Sequence, residues 1–206
     1  MALIKPKKLG ANELNLADNY AFTGTVTGAG VSGKVLQTVL HYDSTTANYA
    51  SVSYQNTSLA VAITPTQSTS EFLIRYSIYG GVVDHDVAVA FNISDSLHAS
   101  GVTHRIAPDS LSGGDLDGSG GSRMGAFTAI GSWANDSAVD NWFVGHSTGE
   151  YLYTPAYQNT TTRTFTVMAR SSFGKNFRLG MNGQNNTTDP RDIRFRSIIS
   201  VTEMSQ

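Results

Sequence analysis

Hydrophobic side chains alternate with polar or small ones along most of the chain from residue 34 onward. The clearest alternating runs are Leu59, Val61 and Ile63; Phe72, Ile74, Tyr76 and Ile78; Val87, Val89, Phe91 and Ile93; Phe165, Val167 and Ala169; and Phe195, Ser197, Ile199 and Val201. A period of two residues is typical of β-strands, because successive side chains point to opposite faces of a sheet. Each run therefore predicts one strand with one buried face.

Clusters of Gly, Asn, Ser and Asp separate these runs, and no window of a dozen residues keeps a helical period. We count about eight to ten strands, which predicts an all-β fold: an antiparallel β-sandwich, with the jelly-roll type as the most economical architecture. Residues 20–33 alternate Thr, Val and Gly, which favours a short extended arm. We therefore divide the chain into an N-terminal arm or linker at residues 1–33 and a sandwich domain at 34–206.

The composition narrows the possible partners. The chain has 206 residues, of which only 15% are charged, with 14 Lys and Arg against 16 Asp and Glu, and no Cys. So little positive charge argues against binding to nucleic acid or to an anionic membrane. Without Cys, packing or assembly must supply the stability. We find no apolar run long enough for a signal peptide or a membrane span, and expect a protein made without a signal peptide.

Three connections between predicted strands are unusually long, at residues 95–123, 145–162 and 171–192. Long loops on a rigid sandwich usually carry function, and aromatic or histidine rings suit sugar faces and protein contacts. The candidate receptor-binding residues in or near these loops are His98, His104, Trp133, Tyr151, Tyr153 and Tyr157. Tyr151 and Tyr153 have an alternative interpretation, in which they face the sandwich or a neighbouring subunit.

A weak calcium motif begins at Asp115 and continues through Asp117 and Ser119. It resembles the first half of a calcium loop, but Arg123 and Ala126 occupy two positions where oxygen ligands belong. We therefore expect neither a metal site nor any other cofactor.

The sequence gives little support for catalysis. The Ser-rich segment 118–123 (GSGGSR) lacks the strand-to-helix elbow that exposes an activated serine, and no helical pattern follows the G-x-S-x-G match Gly145-His146-Ser147-Thr148-Gly149. A glycosidase would have to combine Glu150 with an aspartate such as Asp140, beside Trp133 or Tyr153. We expect a protein that is not an enzyme, and keep a carbohydrate-active enzyme on a β-sandwich as an alternative.

Five segments, taken in order, carry a resemblance. They are Val35-Leu36-Gln37-Thr38-Val39, the stretch from Val61 to Ile74 (VAITPTQSTSEFLI), Gly120-Gly121-Ser122-Arg123, Thr164-Phe165-Thr166-Val167-Met168-Ala169-Arg170, and Ser200-Val201-Thr202-Glu203-Met204. With these segments, residues 34–206 resemble the C-terminal domain of bacteriophage tail-fibre-like proteins, which are common in phages of aquatic bacteria.

The resemblance implies a structural virion protein that is made in the host cytoplasm, a homotrimer located in a tail fibre or on the virion surface. Its N-terminal arm would contact other virion proteins, and loops 95–123 and 145–162 would face polysaccharide or protein on the host cell. The residues expected to make virion or intersubunit contacts are Leu3, Ile4, Leu9, Leu14, Leu16, Tyr20 and Phe22. Because the chain is short for a fibre, a capsid or tail decoration or spike protein without receptor binding is the alternative virion role.

Overall fold

The computed structural model describes residues 33–82, 87–98, 106, 126–132, 144–181 and 194–206. All of them belong to the compact unit Ser32–Gln206, and the predicted arm contacts from Leu3 to Phe22 lie outside the described residues. The strands of the described part are β1 (Val35–Asp43), β2 (Ala47–Tyr49), β3 (Gln55–Ile63), β4 (Glu71–Val82), β5 (Val87–Asp95), β6 (Thr128–Ser132), β7 (Gly145–Tyr153), β8 (Arg163–Ser171), β9 (Phe177–Leu179) and β10 (Ser197–Met204).

These strands form two antiparallel sheets with a nested pairing pattern. One sheet has the order β1-β10-β4-β7, with the short β9 and β2 added beside the end of β4, and the other has the order β3-β8-β5-β6. With β2 and β9 set aside, the first strand pairs with the last, the second with the last but one, and so on to the central β5–β6 pair. This is the strand order of a jelly roll, so the predicted all-β sandwich is confirmed.

The two sheets pack through the faces that the alternation predicted. The largest fully buried side chains include Leu59, Ile63, Phe72, Ile74, Ile78, Phe91, Ile93, Phe165, Phe177, Leu179 and Ile199. Phe72 and Phe165 meet across the core with ring centroids 5.4 Å apart. One boundary differs from the prediction, because β10 begins at Ser197 and the half-buried Phe195 instead stacks on Tyr79. No helix among the described residues is long and apolar enough to cross a membrane.

The strand directions give the sandwich two ends. At the end that we call the entry end, β1, β4 and β8 begin and β3, β5, β7 and β10 finish. The Gly33 N–H donates to the Ser205 carbonyl at 2.6 Å, and the Ser205 N–H donates to the Lys34 carbonyl at 2.9 Å, so the chain enters β1 at this end. The opposite end, which we call the far end, carries the turn Ser172–Gly174 after β8. Nine-residue strands place the two ends about 30 Å apart.

Candidate receptor-binding surfaces at the two ends of the sandwich

The predicted loop at 145–162 is shorter in the structure, because residues 145–153 form β7. The loop prediction was wrong there for a physical reason. The inward positions of the first half of β7 are Gly145, Ser147 and Gly149, so this half lacks the apolar alternation that identifies a strand. A Cβ on Gly149 would lie 2.5 Å from the ring of Tyr76, which shows that the glycine leaves room for a large neighbour. The remaining loop at the entry end is 154–162.

A buried ion pair organises this loop. Asp95, the last residue of β5, and Arg163, the first residue of β8, are 0% and 1% exposed, and Arg163 Nη1 lies 2.5 Å from Asp95 Oδ2. Arg163 Nη2 donates to the Tyr157 carbonyl, while Asp95 Oδ1 accepts the Leu97 N–H at 3.0 Å. The pair therefore holds both the 154–162 loop and the turn that follows β5.

Tyr153 belongs to the same buried network. Its hydroxyl donates to Asp95 Oδ2 at 3.1 Å and lies 3.4 Å from Nδ1 of the half-buried His98. Burial, together with the negative charge of Asp95, raises the pKa of the Tyr153 hydroxyl well above its usual range. Since Tyr153 is only 6% exposed, it does not fit its assignment as a receptor contact, and it acts instead by positioning Asp95.

Tyr151 also turns towards the sandwich. It is half-buried, meets the ring of Phe127 edge-on at 5.9 Å and stacks on Tyr153 at 6.3 Å. Burial raises the pKa of its hydroxyl. Tyr157, by contrast, is 56% exposed and presents its ring from the loop. Of the candidate aromatic residues that the structure describes, Tyr157 alone offers an open surface at the entry end.

Several candidates fall outside the described residues: His104, Trp133, the calcium candidates Asp115, Asp117 and Ser119, and the catalytic candidate Asp140. Within the described ranges, no group of three His, Asp or Glu side chains is placed to hold a metal ion.

Glu150 lies on the outer face of the β4–β7 pair, beside a shallow depression of ≈ 320 Å³. The depression is lined by Arg75, Tyr76, Thr148, Gly149 and Glu150. Glu150 Oε2 is 2.5 Å from Arg75 Nε, and both side chains are more than half exposed. Among the described residues that line this depression, Glu150 is the single carboxylate, and it is paired with Arg75.

The far end carries a feature that the sequence did not reveal. Phe173, in the turn Ser172–Gly174, is 81% exposed and has a φ of 56°. Bulky side chains rarely adopt this left-handed conformation, and an exposed ring contributes little to folding. The local sequence Ser171-Ser172-Phe173-Gly174-Lys175 predicts only a turn, because nothing in it distinguishes an outward phenylalanine from one that packs inward.

Hydrogen bonds fix this turn on its inner side. The Ser171 hydroxyl donates to the Lys175 carbonyl at 2.5 Å, and the Ser171 N–H donates to the Ser51 carbonyl at 2.8 Å. The Ser172 hydroxyl accepts the Ala88 N–H at 2.9 Å, which ties the turn to the start of β5. The surrounding structure thus holds Phe173 in an unfavourable backbone conformation with its ring in solvent.

Replacing Phe173 with asparagine should stabilise the protein by about 0.5–1 kcal/mol, because asparagine tolerates a positive φ far better than phenylalanine does. Urea unfolding of the variant and the wild type at pH 7 measures the difference. A loss of stability in Phe173→Asn would show instead that the ring packs against the fold, contrary to its exposure.

Comparison of the chain with protein-family models and with curated proteins found no match.

Proposed function

We propose that this chain is a bacteriophage virion protein of the tail-fibre kind. It assembles as a homotrimer on the virion and binds polysaccharide or protein on the host surface through loops of its jelly roll. The proposal starts from the resemblance of residues 34–206 to the C-terminal domain of tail-fibre-like proteins, and it requires that the segments carrying this resemblance form one structural unit.

The main support is that three of those segments meet at one buried carboxylate. Glu203 is 0% exposed, and its Oε1 accepts hydrogen bonds from the Ser70 hydroxyl at 2.5 Å and from the Thr66 N–H at 2.7 Å. Its Oε2 accepts from Gln37 Nε2 at 2.6 Å. Gln37 belongs to the first segment, Thr66 and Ser70 to the second, and Glu203 to the last. Weak motifs that are far apart in sequence thus share one set of contacts.

Exposed apolar side chains support assembly. Val35, Leu40 and Tyr42 of the edge strand β1 are 57%, 49% and 55% exposed, and Leu152 of β7 is 51% exposed. A long edge strand with several apolar side chains in solvent is a liability that subunit contacts remove. A trimer would bury part of this surface and would multiply weak binding to a host surface.

The test combines the mass of the full-length protein by light scattering with saturable binding of a fluorescently labelled sample to cells of candidate hosts. We expect a mass of three chains together with saturable binding. A trimer that binds no cells would favour the decoration or spike role, and a monomer that shortens polysaccharide would overturn the proposal in favour of the enzyme.

A further inference from the structure

The two ends of the sandwich are not equivalent for a protein that attaches to a virion through the residues before Gly33. The chain enters β1 at the entry end, where Gly33 and Lys34 are hydrogen-bonded to Ser205. The loop that carries Tyr157 lies at this same end, beside Arg163 at the start of β8. The far end is about 30 Å further from the point of entry. The end that is remote from the chain's entry into β1 is therefore the one that carries Phe173.

The far end also presents a small apolar surface. Val52 is 57% exposed, and its Cγ1 lies 3.9 Å from the position that a Cβ on Gly174 would occupy, so it sits beside the turn that carries Phe173. Two serine residues flank Val52, whereas the hydroxyl groups of Ser171 and Ser172 are bonded on the inner side of the turn. Ser53 is exposed and its N–H donates to the Ser51 hydroxyl at 3.0 Å. A flat ring is thus held in solvent, with an exposed valine beside its turn and an exposed serine next to that valine.

This combination suits a sugar ring better than a protein surface. The apolar face of a saccharide can stack on one aromatic ring while its hydroxyl groups bond to serine side chains. Among the described residues, this surface has two exposed apolar side chains, which are far too few for a specific protein interface that buries at least about 1,000 Å². Weak binding to one sugar is sufficient when three copies act together.

We infer that the far end is the host-facing end, and that Phe173 with Val52 forms a binding site for a neutral saccharide of the host surface. The inference rests on the proposed function, since it takes the virion to lie on the side of Gly33. It moves the receptor-binding surface away from the predicted loops 95–123 and 145–162 to the turn after β8.

The experiment uses the labelled full-length protein on an array of neutral hexose and N-acetylhexosamine oligomers, with uronic-acid oligomers for comparison, and on candidate host cells. Phe173→Asn removes the ring while keeping the backbone conformation of the turn. Tyr157→Ala is the matched control, since it removes an exposed ring at the entry end. We expect Phe173→Asn to weaken binding by about tenfold or more and Tyr157→Ala to leave binding unchanged, with the same mass for all three proteins.

The outcomes separate the inference from the proposed function. The inference is overturned, and the host-binding function is left in place, if Phe173→Asn binds as well as the wild type does or if Tyr157→Ala loses binding. Binding confined to uronic-acid oligomers would overturn the inference that the ligand is a neutral saccharide. A wild-type trimer that binds neither the array nor any cells overturns the host-binding function, and the inference with it.

Discussion

Replacing Arg163 with methionine should lower the free energy of unfolding by about 3–5 kcal/mol, because the variant leaves the carboxylate of Asp95 buried without its cation. Asp95 is 0% exposed, and its remaining hydrogen bonds come from the Tyr153 hydroxyl and the Leu97 N–H. The Tyr157 carbonyl would also lose the guanidinium as its donor. Urea unfolding at pH 7 measures the loss. The slope of the unfolding free energy against urea concentration is compared between the variants.

Two further variants test whether the unpaired charge causes the loss. Adding Asp95→Asn to Arg163→Met removes the charge and should recover at least half of the lost stability. Arg75→Met breaks the exposed pair with Glu150 and should cost less than about 1 kcal/mol, since solvent screens that pair. The explanation fails if the double variant is as unstable as Arg163→Met, or if Arg163→Met behaves like Arg75→Met.

The strands that carry the core were predictable from the sequence because one side of each strand is buried, and its side chains are therefore apolar at every second position. Phe72, Ile74, Tyr76 and Ile78 show this on β4, where all four are buried. The first half of β7 was not predictable, because its inward positions hold small residues that make room for the ring of Tyr76. A small residue that faces a large one looks the same in sequence as a residue in a loop.

The candidate surface was harder to predict than the fold. Tyr153 and Tyr157 both lie in the segment 145–162 that was predicted to be a loop, yet one is 6% exposed and the other 56%. The difference comes from Asp95 and Arg163, which are distant in sequence and meet only in the folded sandwich. Phe173 gave no signal either, because a positive φ at a residue other than glycine is decided by contacts around the turn.

Glu203 joins the start of β1, the loop after β3 and the end of β10, and replacing it with alanine should cost about 3 kcal/mol. The variant would leave Gln37, Thr66 and Ser70 without the acceptor that they share in a buried site. Glu203→Gln keeps the shape and one carbonyl oxygen, so it should cost less, about 1–2 kcal/mol. Glu71→Gln, at the exposed rim of the same end, serves as the control and should cost less than about 0.5 kcal/mol.

The effect of Glu203 should depend on pH in one direction. Burial alone would raise the pKa of its carboxyl group, but hydrogen bonds from Ser70, Gln37 and Thr66 outweigh burial and hold the pKa below its ordinary value. A carboxyl group with a lowered pKa in the folded state stabilises the protein fully above the unfolded pKa, about 4.3, and this contribution disappears as the pH falls through the folded pKa.

The difference in unfolding free energy between the wild type and Glu203→Gln should therefore shrink from pH 7 to pH 3. The pKa of Asp43 is lowered in the same way, because hydrogen bonds from Ser58 and Thr45 outweigh the effect of burial. Asp43 is present in both proteins, so its contribution cancels from this difference. An equal difference at pH 7 and pH 3 would mean that the shape of the glutamate, and not its charge, holds the three segments together.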